Sequence, residues 1–385
     1  MRKETEVMIH FKMFAGALLC LLVASSNVAC ASHAPVGGRE AIASPPHSSA
    51  EPRAATVQAK SDPLECPTRE NSLPIPFTYY HGSPFARLPL KTVTGQTTVL
   101  ALLDTGWSGC PPITASAAAE LSLVEDKAKC NGGGYAGIDL GPWHGFDTQR
   151  WDFGSRKGSD TEPQRGVLST DAFREQIVEF DFSSKQLTVF APPTDGQWGR
   201  NIAPTCDNDR ANWTRCKNRW QAKSFDIVKL VHYSACDWSV RAQGTEPIVP
   251  MTIAKVSGID GTIEFDTGRD ESVPATDVSV NDAFFAVLSA HLKLAPKQAP
   301  QLIEPQCEEA IYVASVNSKL ELTLGGRTFL LDQIAVRRPK GGSDHCGGFP
   351  YSATYPAGLV GMTVLKKLRR LVIDPFGERA RLEWL

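Results

Sequence analysis

Two predicted strands of the chain end in the same polar triplet. The apolar run VLALL, residues 99–103, leads straight into Asp104-Thr105-Gly106, and a second strand at residues 263–265 leads into Asp266-Thr267-Gly268. In each case a glycine turn separates this strand from an earlier one, so the pattern predicts a hairpin that delivers an aspartate at its end. Because Asp, Thr and Gly are common turn residues, one triplet alone would indicate only a strand followed by a turn.

The sequence around the two triplets repeats, which makes coincidence a poor explanation. A proline precedes the aspartate by 15 residues in the first copy and by 16 in the second. A Gly-aliphatic-aliphatic motif follows each triplet, and it begins at Gly166 and at Gly358. A short helical turn and then a strand are predicted after each motif; the turns end at Phe173 and Leu365, and the strands end at Asp181 and Asp374.

The segments between these anchors have diverged. The interval from the aspartate to the glycine of the motif is 62 residues in the first copy and 92 in the second. A predicted helix of about a dozen residues, NDAFFAVLSAHL from Asn281, accounts for part of the difference.

Residues 196–245 fit neither copy. They contain Trp198, Trp213, Trp220 and Trp238, and we interpret them as a Trp- and Cys-rich connector, with an aromatic platform for sugar or peptide as the alternative.

Composition and length set limits on the class of protein. The chain has 385 residues, of which 42% are hydrophobic, and this length predicts two domains in a globular protein. The formal net charge is −2, and no long basic run is present, so we expect no nucleic-acid partner.

The N-terminal segment is typical of an exported protein. Basic residues precede a short apolar run, MFAGALLCLLVA at 13–24, and we expect residues 1–29 to be a signal peptide. The sequence SSNVAC resembles a bacterial lipoprotein box with Cys30 as the lipid attachment site, although Asn27 departs from the usual aliphatic residue; cleavage after Ala31 is the alternative. Residues 30–72 are rich in Ala, Pro and Ser, which predicts a disordered tether. The expected location is therefore the cell envelope, lipid-anchored or periplasmic, or the exterior.

The cysteines predict disulfides and not a metal site. Ten are present, and eight of them follow Cys30, which allows up to four disulfides in an exported chain. No C-x-x-C pair occurs, and we expect neither a metal nor a cofactor. Proximity in sequence favours three pairs: Cys110 with Cys130, Cys206 with Cys216, and Cys307 with Cys346.

The paired triplets and their downstream motifs resemble the pepsin- and retropepsin-like aspartic peptidases, and the individual halves resemble the retropepsin-like units of bacterial proteins. The resemblance covers most of residues 73–385. It implies an all-β fold of two similar lobes with a few short helices, with lobes at 73–195 and 246–385 and a cleft between them. It also implies that each triplet is braced by its Gly-aliphatic-aliphatic strand.

The resemblance assigns roles to the triplet residues. Asp104 and Asp266 would form a catalytic dyad. Thr105, Gly106, Thr267 and Gly268 would support the catalytic loops, with the threonines bonding across to the opposite lobe. Two adjacent carboxylates cannot both ionise easily, so the pair holds one proton over a wide pH range, and aspartic proteases are the established example of this effect. Such a pair can act as base toward a water and as acid toward a scissile carbonyl.

Three features bear on substrate and activity. The Gly-rich segment from Asn131 lies where the family has a hairpin lid, so Tyr135 is the candidate substrate-binding residue and Trp143 the second; an ordinary surface loop is the alternative. The residue after each triplet is usually Ser, Thr or Ala in the family, whereas here it is Trp107 or Arg269. We interpret Arg269 as an outward-facing surface charge, because it begins the locally neutralised turn Arg269-Asp270-Glu271.

The sequence thus predicts an aspartic endopeptidase, expected to be monomeric, that acts on polypeptides. The alternative is a catalytically silent protein of the same fold that binds peptide in the envelope. A structural envelope lipoprotein is a third possibility, which only the tether supports.

Overall fold

The computed structural model describes residues 72–130, 133–141, 143–151, 161–173, 176–190, 225–231, 233, 249–269, 278–297, 301–304, 308–339, 349, 353–375 and 378–385. These residues all belong to one compact unit, Ser61–Leu385. The predicted signal peptide, Cys30, the four connector tryptophans and the predicted Cys206–Cys216 and Cys307–Cys346 pairs lie outside the described residues. In the part that is described, no helix has the length and apolar character needed to cross a membrane.

The protein is built almost entirely of strands. The first half of the chain contributes β1 (Ser72–Pro76), β2 (Thr78–Tyr80), β3 (Ser83–Lys91), β4 (Gln96–Leu103), β5 (Pro112–Thr114), β6 (Gly134–Leu140), β7 (Trp143–Trp151), β8 (Gly166–Leu168), β9 (Ile177–Asp181) and β10 (Gln186–Phe190). The second half contributes β11 (Asp226–Val231), β12 (Met251–Val256), β13 (Ile259–Phe265), β14 (Val278–Val280), β15 (Leu294–Pro296), β16 (Gln301–Glu304), β17 (Glu308–Ser315), β18 (Leu320–Leu324), β19 (Arg327–Leu331), β20 (Ile334–Pro339), β21 (Ala357–Val360), β22 (Leu368–Asp374) and β23 (Arg379–Trp384). The helices are α1 (Ala115–Glu120), α2 (Thr170–Phe173), α3 (Asp282–His291) and α4 (Met362–Leu365).

The strands form two lobes joined by a shared sheet. The sheet of the first lobe has the order β2-β3-β4-β8-β5-β7-β6. A second sheet has the order β1-β10-β9-β22-β23-β11-β12-β13-β21-β14-β20-β17-β15, and β16, β18 and β19 pair with it off this path. Its first six strands connect the lobes, because β9 of the first copy pairs antiparallel with β22 of the second. The all-β, two-lobed fold predicted from the sequence is therefore confirmed.

Each aspartate stands at the end of a strand that is held on both sides. Strands β4 and β13 pair antiparallel with β3 and β12 in the predicted hairpins. They also pair in parallel with the Gly-aliphatic-aliphatic strands β8 and β21. The last pair of each parallel ladder is Leu103 with Leu168 and Phe265 with Val360. All five residues of the run VLALL are buried, as expected for a central strand covered on both faces.

The elements that follow the motifs agree with the repeat. Helices α2 and α4 end at Phe173 and Leu365, and both side chains are buried in the core. Strands β9 and β22 then end at Asp181 and Asp374, as predicted. Helix α3 begins after Asn281, whose side-chain oxygen accepts the backbone N–H of Phe284 and so caps the first turn.

Two local findings concern the cysteines and the connector. The predicted disulfide between Cys110 and Cys130 is present. The connector supplies strand β11, which pairs with both β23 and β12. Residues 226–231 thus take part in the sheet that continues into the second lobe, a role that the divergent sequence did not indicate.

Candidate active site

The two triplets meet at the boundary of the lobes, where their threonines are buried and bonded to each other. The backbone N–H of Thr105 donates to the hydroxyl oxygen of Thr267 at 3.0 Å, and the N–H of Thr267 donates to the hydroxyl oxygen of Thr105 at 3.0 Å. The Thr267 hydroxyl donates to the carbonyl of Leu103 at 2.6 Å, and the Thr105 hydroxyl donates to the carbonyl of Phe265. This is the cross-lobe bonding that the family resemblance implies.

The glycines of the triplets are required by close approach across the boundary. A Cβ added to Gly106 would lie 2.5 Å from Cγ of Asp266, and a Cβ added to Gly268 would lie 2.2 Å from Cγ of Asp104. Each carboxyl group therefore packs directly against the glycine of the opposite loop. Ser83 adds a further cross-lobe contact, because its buried hydroxyl donates to the carbonyl of Gly268 at 3.2 Å.

Each aspartate is positioned by its own loop and by the strand behind it. The backbone N–H of Asp104 donates to Leu168, and that of Asp266 donates to Val360. One carboxyl oxygen of Asp104 accepts the N–H of Gly106 at 2.8 Å, and one of Asp266 accepts the N–H of Arg269 at 2.9 Å. Such bonds hold the carboxyl groups in fixed orientations, which is what a preorganised site needs.

The environment of Asp266 shifts its proton affinity. Burial raises the pKa of the Asp266 carboxyl, and the positive charges of Arg337 and Arg269, together with backbone N–H groups, oppose that rise. Arg337 comes from β20; its side chain is buried, and its guanidinium lies 5.0 Å from the ring centroid of Phe349. The net rise keeps a proton within the site at a pH where an exposed aspartate would be ionised.

Arg269, interpreted from the sequence as an outward-facing surface charge, is only partly exposed. Arg269 is half-buried, and its side chain lies against Gly361, where an added Cβ would stand 2.7 Å from the Arg269 Cγ. Its charge lowers the pKa of Asp266. Trp107 occupies the corresponding position of the first copy and packs, half-buried, on an apolar cluster that includes Leu102. The two sides of the site therefore differ, one apolar and one charged.

Sequence reasoning missed a third carboxyl group at the site, that of Glu264. Its side chain is 1% exposed, and its Oε1 lies 2.8 Å from the point where a Cβ on Gly106 would stand. Burial is the main cause that raises the pKa of Glu264 well above its usual value; the nearby Asp266 and Asp104 raise it further, and Arg337 opposes them. A glutamate between Ile263 and Phe265, two residues before Asp266, was the available signal.

The remaining predicted site residue, Tyr135, lies in β6 at the start of the β6–β7 hairpin. Its side chain is 5% exposed and belongs to the main hydrophobic core, and burial raises the pKa of its hydroxyl. The predicted hairpin thus exists, but the ring of Tyr135 faces the core. A role for Tyr135 in substrate binding stays a prediction. Among the described residues, no group of three His, Cys, Asp or Glu side chains could hold a metal ion.

Comparison with known proteins gives only distant likenesses. No protein-family model matches the sequence, and no curated protein is significantly similar to it. Among solved structures, the aspartic proteinase from Irpex lacteus is similar with a TM-score of 0.39 and 13% identity, over 81% of this chain and 97% of that one. Conglutin gamma, a unique basic 7S globulin from lupine seeds, is similar with a TM-score of 0.36 and 13% identity, over 81% and 95% of the two chains. The functional assignment must therefore come from the residues of the site itself.

Proposed function

We propose that the protein is an aspartic endopeptidase that hydrolyses peptide bonds through Asp104 and Asp266. The reciprocal packing of each carboxyl group on the glycine of the opposite loop carries this proposal, because it brings the two acids together. The cross-lobe bonds of Thr105 and Thr267 support it, since they fix the two loops relative to each other.

The chemistry follows from a shared proton. With one carboxyl group ionised and the other protonated, the ionised member takes a proton from a water held between them while that water attacks the scissile carbonyl. The protonated member donates a hydrogen bond and then its proton to the carbonyl oxygen. This reaction needs neither a cofactor nor a covalent intermediate on the enzyme. The substrate we propose is a polypeptide bound in extended form by a monomer.

Digestion of a denatured protein mixture by the purified protein across pH tests the proposal. Cleavage should occur with the wild type and be lost in Asp104→Asn and in Asp266→Asn, because one carboxyl group cannot fill both roles. Asp260→Asn is the matched control: Asp260 lies on β13, the strand that leads to Asp266, but its side chain is exposed and pairs with Lys255 at 2.7 Å. Full activity in either dyad variant would contradict the proposal.

A catalytically silent peptide-binding protein is the second candidate. Two guanidinium groups act on Asp266, and positive charge favours a dyad with both acids ionised, which could not donate a proton. The candidates separate with a transition-state mimic of the statine type. A peptidase should bind the mimic much more tightly than a substrate peptide. A silent protein should bind both similarly and cleave neither.

We also propose that the protein is exported and held in the cell envelope. The basic residues and apolar run of the N-terminal segment support export, and the lipoprotein-like sequence ending at Cys30 supports an anchor. In this proposal the segment after Cys30 separates the folded lobes from the membrane surface. A peptidase in that position would meet exported or extracellular polypeptides.

A further inference from the structure

One copy of the internal repeat has an acid where the other has an aliphatic residue. Glu264 lies in β13, two residues before Asp266, and the carboxyl groups of both lie against Gly106 of the opposite loop. The residue two positions before Asp104 is Leu102, on the matching strand β4. A leucine packs at this position at no electrostatic cost, so the glutamate calls for an explanation in terms of charge.

The Glu264 carboxyl group is enclosed at the centre of the site. Its Oε2 is buried and has no hydrogen-bond partner among the described residues. Its Oε1 and the Oδ1 of Asp266 lie 2.8 Å and 2.7 Å from the point where a Cβ on Gly106 would stand. The carboxyl groups of Glu264 in β13 and of Asp266 just after it thus flank the glycine of the opposite loop. A buried polar atom without a partner is unfavourable, and proteins keep such atoms mainly where they serve a function.

Two acids and one base act on Glu264, and a second base acts on Asp266. Asp266 and Asp104 disfavour its ionisation, whereas Arg337 from β20 favours it. Arg337 and Arg269 both favour ionisation of Asp266. With burial as the largest effect, the pKa of Glu264 lies well above its usual value. The group therefore remains protonated at a pH where an exposed glutamate has lost its proton.

Charge balance gives this third acid a purpose. The positive charges of Arg337 and Arg269 would be neutralised by two ionised aspartates, and a dyad in that state lacks the proton that its chemistry requires. With three acids present, one proton can remain while two negative charges still neutralise the two arginines. The three acids share that proton, and when it sits on Asp266 the ionised Glu264 opposes its loss, because like charges in a poorly solvated site interact strongly.

We propose, on the basis of the peptidase function above, that Glu264 is a third proton-binding group of the site. As a positioning residue, it controls how the negative charge of the site is distributed. Its carboxyl group shares the negative charge of the site with Asp104 and Asp266. It thereby extends to higher pH the range over which the two aspartates together hold one proton. Glu264 itself need not contact the substrate.

The direct test is the titration of Asp266, followed by ¹³C NMR of labelled aspartate carboxyl groups and assigned with Asp266→Asn. In Glu264→Gln the side chain keeps its size but cannot become negative, so the titration of Asp266 should move to lower pH. Glu179→Gln is the matched control, because Glu179 is also buried but lies in β9, with an oxygen 3.8 Å from Arg370. It should leave the titration of Asp266 where it is in the wild type. An unchanged titration in Glu264→Gln overturns the proposal.

Two further measurements separate this proposal from its premise. If the protein is a peptidase, the alkaline limb of its kcat/KM profile should fall at lower pH in Glu264→Gln, with activity retained in acid; an unmoved limb overturns the proposal. If the wild type cleaves nothing at any pH, the proposed function fails, and the NMR titration alone decides the role of Glu264.

If Glu264→Gln folds poorly, the pH dependence of stability in a second variant provides another test. The pKa of Glu264 is higher in the folded protein than in the unfolded chain. The protonated carboxyl group therefore contributes fully to stability below its pKa in the unfolded chain, and this contribution is lost as pH rises through its pKa in the folded protein. Glu264→Leu, which copies Leu102 of the other lobe, should remove that pH-dependent loss in urea unfolding. The same loss in wild type and variant overturns the proposal.

Discussion

Thr105 and Thr267 bind each other reciprocally across the two lobes, each hydroxyl oxygen accepting the backbone N–H of the other at 3.0 Å. A hydroxyl has one donor hydrogen and two lone pairs, so it can accept this bond and still donate to a carbonyl. Both threonines do so, to Phe265 and to Leu103. Two side chains therefore provide hydrogen-bond partners for two N–H groups and two carbonyls of the buried loops where these cross.

Removing one of these hydroxyls should destabilise the protein. Thr267→Val keeps the shape of the side chain but leaves the N–H of Thr105 and the carbonyl of Leu103 without this partner. The loss in unfolding free energy should be about 2–4 kcal/mol, measured by urea unfolding. Thr267→Ser, which retains the hydroxyl, should lose less than about 1 kcal/mol. Equal stability of the valine and serine variants would show that the cross-lobe bonds contribute little.

The repeat made most of the fold predictable from the sequence. Helices α2 and α4 end at Phe173 and Leu365 as expected, because each short turn is set between a motif strand and the next buried strand. The pairing of Cys110 with Cys130 was also accessible from their proximity in the chain. Strand β11 was not, because residues 226–231 pair with strands that are remote in sequence.

The charged half of the site was harder to predict. In the run Ile263-Glu264-Phe265, simple alternation places the glutamate on a solvated face. Strand β13 is central and covered on both sides, so the same residue is buried instead. Arg269 was misjudged for a related reason: its neighbours in sequence suggested a neutralised surface turn, but Gly361, from the far end of the chain, leaves room for its side chain.

Enlarging a triplet glycine should remove activity while the fold persists. A Cβ in Gly268→Ala would lie 2.2 Å from Cγ of Asp104, so this carboxyl group must move. Misplacement by about 1 Å can cost about 100-fold in rate, and we expect kcat to fall by at least about that factor. Gly95→Ala is the control, since its Cβ would meet only Leu121 at 3.6 Å. A Gly268→Ala enzyme of wild-type kcat would show that the carboxyl position is not critical.

The Cys110–Cys130 disulfide should contribute to stability. The two cysteines are 20 residues apart, and the bridge ties the segment after the first Asp-Thr-Gly loop to the start of the β6–β7 hairpin. Closing a loop of that size stabilises a protein by about 3 kcal/mol. The double variant Cys110→Ala, Cys130→Ala should lose about that amount in urea unfolding under oxidising conditions. A reductant should then have less effect on the variant than on the wild type.

The mature protein should carry lipid on Cys30. The sequence VAC follows the apolar run, and the adjoining Ala- and Pro-rich segment would act as a spacer. Mass spectrometry of the exported protein should find a modified N-terminal cysteine, and Cys30→Ala should release the protein from membranes. An unmodified N-terminus at Ser32 would instead show ordinary cleavage after Ala31.

Arg269 should set part of the pH dependence of activity. Its positive charge lowers the pKa of Asp266, so in Arg269→Ala that pKa should rise. A raised pKa keeps the dyad fully protonated to higher pH and also delays loss of its last proton. Both the acidic and the alkaline limb of the kcat/KM profile should therefore move to higher pH. Arg269→Lys keeps the charge and much of the stem that packs on Gly361, so its profile should remain close to that of the wild type. An alanine profile that overlays the wild type would mean that solvent screens the charge of Arg269 from the dyad.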